Sequence, residues 1–372
     1  MDQGMITTTH IDVGQQPSGE LARVPVITVE GHPGGPTVYL QANIHGAEIQ
    51  GNAVLERLLA LCRANRPRGR LIMVPMANPI GINQKSGEFT LGRFDPISGD
   101  NWNRQYHFDN ADLDDFCQAH LSSDDATLCA AFRQRLKAQL ARRLASPWGL
   151  KTGQLLALRL QQMTVDADVV LDLHTGPISA RHLYVPDYAR ANAHRFNIPL
   201  NIVMPSDFGG ALDEAAFSPW WQLSQRLAAL GRELPMPVDA FTLELGSQEK
   251  LDVNQAERDA AGIARYLESQ GCWPEGTHKV APEPQYACAL ANYRALYSPC
   301  AGQIEYLAPL GEPVPAGTPV ARIWHYERLG QDGPLYTEVT VPTDAIPVLH
   351  FASANVQEGT ELYKFLTCTE AL

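Results

Sequence analysis

The stretch PTVYLQANIHGAE, residues 36–48, decides the fold class of this chain. Its first nine residues, 36–44, form a mostly apolar run between turn residues, which predicts a buried β-strand. Residues 47–64 follow directly, with leucines at helical spacing, and predict a helix. A strand that leads into a helix is the repeating unit of α/β proteins.

The same alternation continues to about residue 271. Further apolar strands are predicted at residues 70–76, 168–173, 201–204 and 240–245, and further helices at residues 128–144, 153–163, 220–230 and 254–269. The charged, helical stretch at about residues 109–165 is interpreted as an insertion on the surface of the core. The pattern predicts an α/β domain over residues 1–275, built on a mostly parallel sheet flanked by helices.

The C-terminal part of the chain has a different character. Pro, Gly and charged residues cluster at residues 273–284, which indicates a linker, and short β-like runs follow it. Pro299 and Pro342 each precede the glycine of a Val-x-x-Gly turn, Gly317 and Gly359, in a weak internal repeat. Two such halves fit a small barrel or sandwich, and the pattern resembles the lipoyl and biotinyl carrier barrel. We therefore expect a C-terminal β-domain over residues 285–372.

Composition excludes several functional classes. The 372 residues carry 29 Lys plus Arg against 41 Asp plus Glu, a net charge of −12, which argues against a nucleic-acid partner. No apolar run of about 18 residues predicts a membrane span, and residues 1–14 lack the apolar stretch of a secretory signal. Seven cysteines without a CxxC pair predict a reducing, cytoplasmic setting. The oligomeric state stays open, and a homo-oligomer would be unsurprising.

Three residues have the spacing and position of metal ligands. His45 and Glu48 stand three residues apart just after the first strand, so both side chains point the same way. His174 follows another predicted strand, and the carboxyl ends of such strands are where α/β sheets bind ligands. Two histidines and one carboxylate match a catalytic zinc site with an open fourth position, so we expect one zinc per chain. Manganese or cobalt would suit the same ligands.

Two carboxylates near these ligands have candidate roles. Asp172 lies two residues before His174 on the same strand face, where it either orients a histidine ligand or is a charge at a strand end. Glu244 interrupts an apolar strand, and burial would raise its pKa towards that of a general base. A solvent-facing glutamate on an edge strand is the alternative, and Glu249 in the next turn is the second candidate for the base.

Two loops carry candidate substrate-binding residues. In the polar loop GDNWNR, residues 99–104, the side chains of Asn103 and Arg104 could hold a substrate carboxylate. Upstream, Arg93 could polarise the scissile carbonyl group. A glycine-rich loop at residues 208–210 is flanked by the acidic residues Asp207, Asp213 and Glu214. These could attract a basic substrate side chain, but we expect a solvated loop.

Four motifs in order carry a family resemblance: HGAE at residues 45–48, NWNR at 101–104, LHTG at 173–176 and LELG at 243–246. Over about residues 20–275 the chain resembles the zinc carboxypeptidase superfamily, and more closely its succinylglutamate desuccinylase/aspartoacylase branch. The spacer between Arg93 and Asn103 is longer than in aspartoacylase, which leaves the role of Arg93 open. The resemblance implies that the zinc ligands are His45, Glu48 and His174, and that the general base and acid is Glu244. It also implies that Asn103 and Arg104 bind the substrate carboxylate and that Arg93 polarises the carbonyl group.

The resemblance implies a deacylase that hydrolyses the amide bond of a small N-acyl amino acid, with the C-terminal β-domain capping the active site. Its barrel-like repeat resembles family members that deacylate N-acetylated diamino acids in ectoine breakdown. A metallocarboxypeptidase acting on peptides is the alternative, because it would share the metal ligands. A non-catalytic carrier or binding protein is remote, because residues 323–340 contain no lysine for a covalent cofactor and Lys364 is the only one after residue 284. The acyl group and the side chain of the substrate stay open.

Overall fold

The computed structural model describes residues 5–372. Strands and helices alternate through most of the chain, and the regular elements of its last quarter are short strands and two 3-10 helices. The strands are β1 (Ile6–Gln15), β2 (Leu21–Glu30), β3 (His32–Ala42), β4 (Arg68–Val74), β5 (Lys85–Ser86), β6 (Phe89–Thr90), β7 (Val169–Gly176), β8 (Ile178–Ser179), β9 (His182–Pro186), β10 (Leu200–Met204), β11 (Asp239–Ser247), β12 (Tyr286–Ala289), β13 (Tyr293–Tyr297), β14 (Gly302–Tyr306), β15 (Pro319–Trp324), β16 (Tyr336–Thr340), β17 (Ala345–His350), β18 (Asn355–Val356), β19 (Glu361–Thr367) and β20 (Glu370–Ala371). The helices are α1 (Gln50–Ala64), α2 (Pro79–Ile82), α3 (Leu113–His120), α4 (Asp125–Leu144), α5 (Thr152–Thr164), α6 (Leu212–Ala229) and α7 (Val253–Ser269).

One large sheet organises the molecule. Its strand order is β1-β2-β4-β3-β7-β11-β9-β10-β12-β20. The four neighbouring strands β4, β3, β7 and β11 are parallel, and β9, β10 and β12 are parallel to one another but antiparallel to β11. The α/β class with a mostly parallel sheet, predicted from the sequence, is confirmed.

Helices cover both faces of the sheet. Leu171 and Leu173 of β7 belong to the core shared with α1 and α7, whereas Val170 belongs to the core shared with α5 and α6. Every residue of β7 is buried, as expected for a parallel strand covered on both sides. Since side chains alternate along a strand, Asp172 and His174 share the α5/α6 face with Val170.

Helix α6 begins earlier than the sequence predicts. The expected helix at residues 220–230 starts instead at Leu212, and Pro219 lies inside it. The Glu214 carboxylate accepts hydrogen bonds from the backbone N–H groups of Gly209 (2.8 Å) and Ala211 (2.9 Å), which caps this earlier start. Pro219 directly precedes the predicted start, but the cap and the burial of the first turns stabilise a helix across it.

The helical stretch at residues 109–165 has two kinds of neighbour. Helix α5 packs directly on the sheet, with Leu156 and Leu160 in the core. Helices α3 and α4 pack against α6 instead, where Phe132 meets Trp220 with ring centroids 4.8 Å apart. Within residues 109–165, α3 and α4 therefore lie outside the layer that covers the sheet, although α4 also contacts α5 through Leu140 and Leu158.

The C-terminal strands form two small sheets, in the orders β13-β19-β17-β8 and β16-β15-β14-β18. The two halves of the sequence repeat bind each other reciprocally. Gly317 N–H, in the turn of the first half, donates to Val341 O (2.8 Å), and Gly359 N–H in the second half donates to Ser298 O (2.9 Å). Val341 and Ser298 are the equivalent residues before the repeated prolines. Each half thus supplies the acceptor for the turn of the other.

Two further findings concern the whole described chain. Among residues 5–372, no helix combines the length and apolar character that crossing a membrane would require. All seven cysteines are free thiols.

Candidate active site

Polar side chains gather at the carboxyl ends of three neighbouring parallel strands. His45 and Glu48 lie in the turn between β3 and α1, and His174 lies near the end of β7. Glu244 on β11 is the register partner of His174. Because these strands are parallel neighbours, their carboxyl ends meet at one edge of the sheet, and the structure brings these four predicted residues together there.

His45, Glu48 and His174 form a compact, buried group. One ligand atom from each lies within 4.8 Å of the others. The Glu48 carboxylate bridges the imidazoles, with Oε1 2.9 Å from His45 Nδ1 and Oε2 2.8 Å from His174 Nδ1. The backbone N–H of Thr175 also donates to Oε2 (3.2 Å). The same nitrogen, Nδ1, of each histidine therefore faces the shared centre.

The other nitrogen of each imidazole meets an oxygen acceptor. His45 Nε2 is 2.9 Å from Asn101 Oδ1, and His174 Nε2 is 2.8 Å from Asp172 Oδ2. An acceptor at Nε2 favours a hydrogen on that nitrogen, which leaves the Nδ1 lone pair free for a metal. Asp172 is fully buried, and its Oδ1 accepts a hydrogen bond from Gln41 Nε2 (2.9 Å).

The HGAE turn is held by its neighbours. Asn43 adopts a left-handed backbone conformation, with φ of 64°, and its Nδ2 donates to the carbonyl oxygens of His45 (2.8 Å) and Gly46 (3.0 Å). Gly46 has no room for a side chain, because a Cβ there would lie 2.2 Å from Gly81 O. Gly46 N–H also donates to Gly92 O (2.7 Å). This close contact fixes the segment that carries Arg93.

Arg93 is half exposed, and its Nη1 donates to Glu48 Oε1 (3.1 Å). Burial acts to raise the pKa of the Glu48 carboxyl, but the imidazoles of His45 and His174 hold it well below its usual range. Burial likewise acts to lower the pKa of His174, but Asp172 and Glu48 raise it well above its usual value. The site is thus a buried cluster of acids and imidazoles that favours a cation at its centre.

Glu244 lies beside this cluster. Strand β11 pairs with β7 on one side and β9 on the other, so Glu244 is not on an edge strand. Its side chain is partly exposed to the cavity described below, while Oε2 is shielded from solvent and has no hydrogen-bond partner in the described part of the chain. Burial, followed by the nearby Glu48 charge, raises the pKa of Glu244 from 4.5 to about 7. A carboxyl group with this pKa can exchange protons at neutral pH.

The NWNR segment forms one wall of the site. The buried Trp102 anchors a short 3-10 helix, Trp102–Arg104, and Asn101 Oδ1 caps it by accepting from Asn103 N (2.8 Å). The Asn103 side chain is buried and lies 3.1 Å from His174 Nε2, whereas Arg104 is exposed and donates through Nη1 to Asn103 O (2.8 Å). A cavity of about 320 Å³ opens between this wall and the strands, lined among others by His45, Arg93, Asn103, Arg104, His174, Asp213, Glu244, Leu290 and Lys364.

Sequence reasoning assigned no role to three residues that orient this site. Asn43 and Asn101 hold the HGAE turn and His45, and Gln41 holds Asp172. The signal for Gln41 was present, because a glutamine inside an apolar strand needs a buried partner. Asn101 opens the NWNR motif, but only the contact across the fold identifies it as the partner of His45.

The residues present fit a bound zinc ion. Two imidazole Nδ1 atoms and one carboxylate converge, and the opposite nitrogens face acceptors, which is the arrangement that zinc-binding histidines require. With these three protein ligands, a fourth position on the metal would remain open to water or substrate. This open position, and not the ligand count alone, is what separates a catalytic from a structural zinc site.

Comparison with known proteins identifies the family. Residues 34–269 match the model of the succinylglutamate desuccinylase/aspartoacylase catalytic domain. The chain belongs to this family, as its four motifs predict, and it is accordingly an enzyme of the amidohydrolase class that acts on the linear amides of N-acyl amino acids.

Individual relatives agree with this assignment. A crystal structure of a succinylglutamate desuccinylase/aspartoacylase family protein from Shewanella amazonensis is 48% identical, with a TM-score of 0.95 over 98% of this chain and 100% of that one. The N-alpha-acetyl-L-2,4-diaminobutyric acid deacetylase of Halomonas elongata is 25% identical over 82% of this chain and 75% of its own length. The product-bound ectoine utilization protein EutE (DoeB) from Ruegeria pomeroyi shares the fold, at 19% identity and a TM-score of 0.69 over 98% of this chain and 97% of that one.

Proposed function

We propose that this chain holds one zinc ion on His45, Glu48 and His174 and hydrolyses the amide bond of a small N-acyl amino acid. The products would be a carboxylic acid and the free amino acid. The observation that carries the proposal is the convergence of these three buried side chains next to Glu244 in one cavity. Manganese or cobalt is the alternative metal for the same ligands.

A bound zinc ion would supply Lewis acidity, which lowers the pKa of water and polarises a carbonyl group. Glu244 takes a proton from the attacking water and returns it to the leaving nitrogen. Its pKa of about 7 suits both transfers, since the group is then partly ionised at neutral pH. The unpaired Oε2 of Glu244 supports this role, because it has no hydrogen bond to lose when it accepts a proton.

Three further residues orient the substrate in this proposal. Arg93 stabilises the negative charge that develops on the amide oxygen, as its position beside Glu48 permits. Arg104 and Asn103 hold the α-carboxylate and so fix the scissile bond against the metal site. Asp172 orients His174 through its contact at Nε2.

The C-terminal segment favours a small substrate over a peptide. Leu290 and Lys364, both after residue 285, line the same cavity as His45 and Glu244. We therefore propose that a β-domain over residues 285–372 caps the active site of the catalytic domain at residues 1–275. A cavity of about 320 Å³ closed in this way admits an N-acyl amino acid more readily than an extended chain. The seven free thiols support a cytoplasmic location.

A hydrolysis screen of metal-quantified protein tests the proposal. N-acetyl and N-succinyl amino acids are compared with short peptides that carry a free C-terminus. We expect about one zinc per chain and turnover of N-acyl amino acids alone. Cleavage of the peptides alone would make the protein a carboxypeptidase, and a metal-free, inactive preparation that fails to take up zinc would refute the metal site.

A further inference from the structure

One buried carboxylate next to the cavity has no assigned role. Asp213 lies in the first turn of α6, lines the cavity and is only 2% exposed. The expectation that the acidic residues around the glycine-rich loop are solvated is therefore wrong for Asp213. It is correct for Asp207, which is exposed.

Asp213 lacks a basic partner. Its Oδ1 accepts a hydrogen bond from Glu214 N (2.9 Å), and its side chain also contacts the Thr242 hydroxyl, but no salt bridge to it occurs within residues 5–372. The charged groups that act on its pKa, Glu214 and Asp172, are also acidic. An isolated buried carboxylate is costly, so the absence of a cation needs a reason.

Two other acidic side chains show how this chain normally satisfies such groups. Asp259 is as deeply buried as Asp213, and it pairs with Arg181 Nη1 at 3.0 Å. The Glu214 carboxylate is engaged by two backbone N–H groups in the cap of α6. Within residues 5–372, Asp213 pairs with no arginine and accepts only one backbone N–H, and its side chain lies at the cavity wall.

The position of Asp213 relative to the proposed reaction is defined by its neighbours. Thr242 pairs with Asp172 in the register of β11 and β7, two residues before the Glu244–His174 pair. The start of α6 also packs on the NWNR wall, since a Cβ on Gly210 would lie 3.2 Å from Arg104 O. Asp213 therefore shares the end of the cavity where Arg104 would hold the α-carboxylate. The side chain of a bound amino acid would leave the same α-carbon as that carboxylate, which places this end of the cavity within its reach.

We propose that Asp213 is the counter-ion for a cationic group on the amino-acid side chain of the substrate. The substrate class is then N-acyl amino acids with a short basic side chain; this inference rests on the proposed function. The size of the cavity, about 320 Å³, limits the length of that side chain. Burial, and then the charges of Glu214 and Asp172, raise the pKa of Asp213 to about 7, so a bound cation would compensate a charge that the chain leaves unbalanced.

Pairs of substrates that differ in one charge test the inference. The metal-loaded wild-type enzyme and Asp213→Asn are assayed with Nα-acetyl-L-2,4-diaminobutyrate against Nα-acetyl-L-norvaline, and with Nα-acetyl-L-ornithine against Nα-acetyl-L-norleucine. The members of each pair have side chains of equal length, one charged and one neutral. Asp207→Asn is the matched control, because it removes an acidic charge from the same loop outside the cavity.

We expect Asp213→Asn to lower kcat/KM for the charged substrates by about 30-fold or more, since one member of a buried charge pair is lost. The neutral substrates should change by less than about 3-fold in the same variant, which also shows that it is folded. Asp207→Asn should leave both classes unchanged.

Two results would overturn the role of Asp213 while leaving the proposed function intact. One is turnover of neutral or acidic N-acyl amino acids by the wild type without preference for charged partners. The other is an equal loss for both members of each pair in Asp213→Asn, which would indicate a structural carboxylate. If the zinc-loaded wild type hydrolyses no N-acyl amino acid at all, the proposed function and the inference both fail.

Discussion

Replacing Glu244 with glutamine should remove activity and stabilise the protein at the same time. Glutamine has nearly the same shape as glutamate but cannot accept a proton from water or return it to the leaving nitrogen. The loss of a general base and acid should lower kcat by about 10³-fold. The zinc content should not change, because Glu244 is not among the converging ligands.

The stability gain follows from the raised pKa. A shift of Glu244 from 4.5 to about 7 corresponds to about 3 kcal/mol, at roughly 1.36 kcal/mol per pKa unit. The side chain is partly exposed to the cavity, so about 2 kcal/mol is the better expectation. Because the folded-state pKa is raised, the wild type loses this stability as pH rises from 4.5 through 7. Glu244→Gln avoids the loss.

Urea unfolding of the metal-free wild type and Glu244→Gln measures the difference in stability. Zinc analysis and steady-state kinetics measure the metal content and the loss of kcat. At about pH 8 the metal-free variant should be more stable than wild type, and at about pH 4 the difference should vanish. Glu249→Gln is the control. Glu249 lies on the neighbouring turn, is exposed, and accepts a hydrogen bond from Thr90 N, which glutamine can also accept.

Near-normal turnover by zinc-loaded Glu244→Gln would refute the assignment of this residue as the base. A large loss in Glu249→Gln, with Glu244→Gln active, would transfer the role to the second candidate. If Glu244→Gln is inactive but no more stable than wild type, Glu244 keeps its catalytic role. That result would contradict the destabilisation that we assign to burial of its carboxylate.

Three further outcomes are expected. Asp172→Asn should weaken zinc binding by about 10- to 100-fold in a chelator competition, because His174 loses its charged partner; unchanged affinity would contradict that role. Gly46→Ala should lower the free energy of unfolding by about 1–3 kcal/mol, whereas Gly153→Ala should not, because a Cβ there would lie 3.3 Å from the flexible Gln105 side chain and at ordinary contact distance (3.5 Å) from the Trp102 ring; equal effects would refute the close-contact argument. Burial lowers the pKa of His182 from 6.5 to about 4, so its stabilising contribution is present above pH 6.5 and declines as pH falls towards 4. Relative to His182→Gln, the wild type should lose about 3 kcal/mol over that range in urea unfolding, and parallel pH profiles would contradict this.

The sequence predicts the parts of the fold that depend on local pattern. The strand at residues 36–44 and the helix that ends at Ala64 follow from apolar periodicity, and the structure has both, as β3 and α1. Strands β1 and β2 were missed, because their alternating and polar-rich residues carry a weaker signal than a buried parallel strand. The start of α6 was misplaced for a different reason: Pro219 is a strong local signal, and the cap that overrides it is visible only in three dimensions.

The candidate site shows the same division. His45, Glu48 and His174 could be predicted because each stands at the end of a recognisable strand, and parallel strands end at one edge. The contact between Asn101 and His45 joins residues 56 positions apart and leaves no pattern in the sequence. The sequence also does not predict the burial of Asp213, because a loop of glycine and acidic residues is usually solvated. Only the packing of α6 places this residue at the cavity.

The pairing of β8 with β17 has a consequence for biosynthesis. Ile178–Ser179 follows His174 and Gly176 closely, and its partners are His350 and Leu349. A nascent chain on the ribosome therefore contains every ligand and the proposed base about a hundred residues before it contains the strand that secures the loop after His174. Until then, β8 exposes an unpaired edge, which favours aggregation. A message truncated at about residue 340 would yield a protein with all the proposed metal ligands and the proposed base but with an unprotected edge, which makes it a substrate for quality-control proteases.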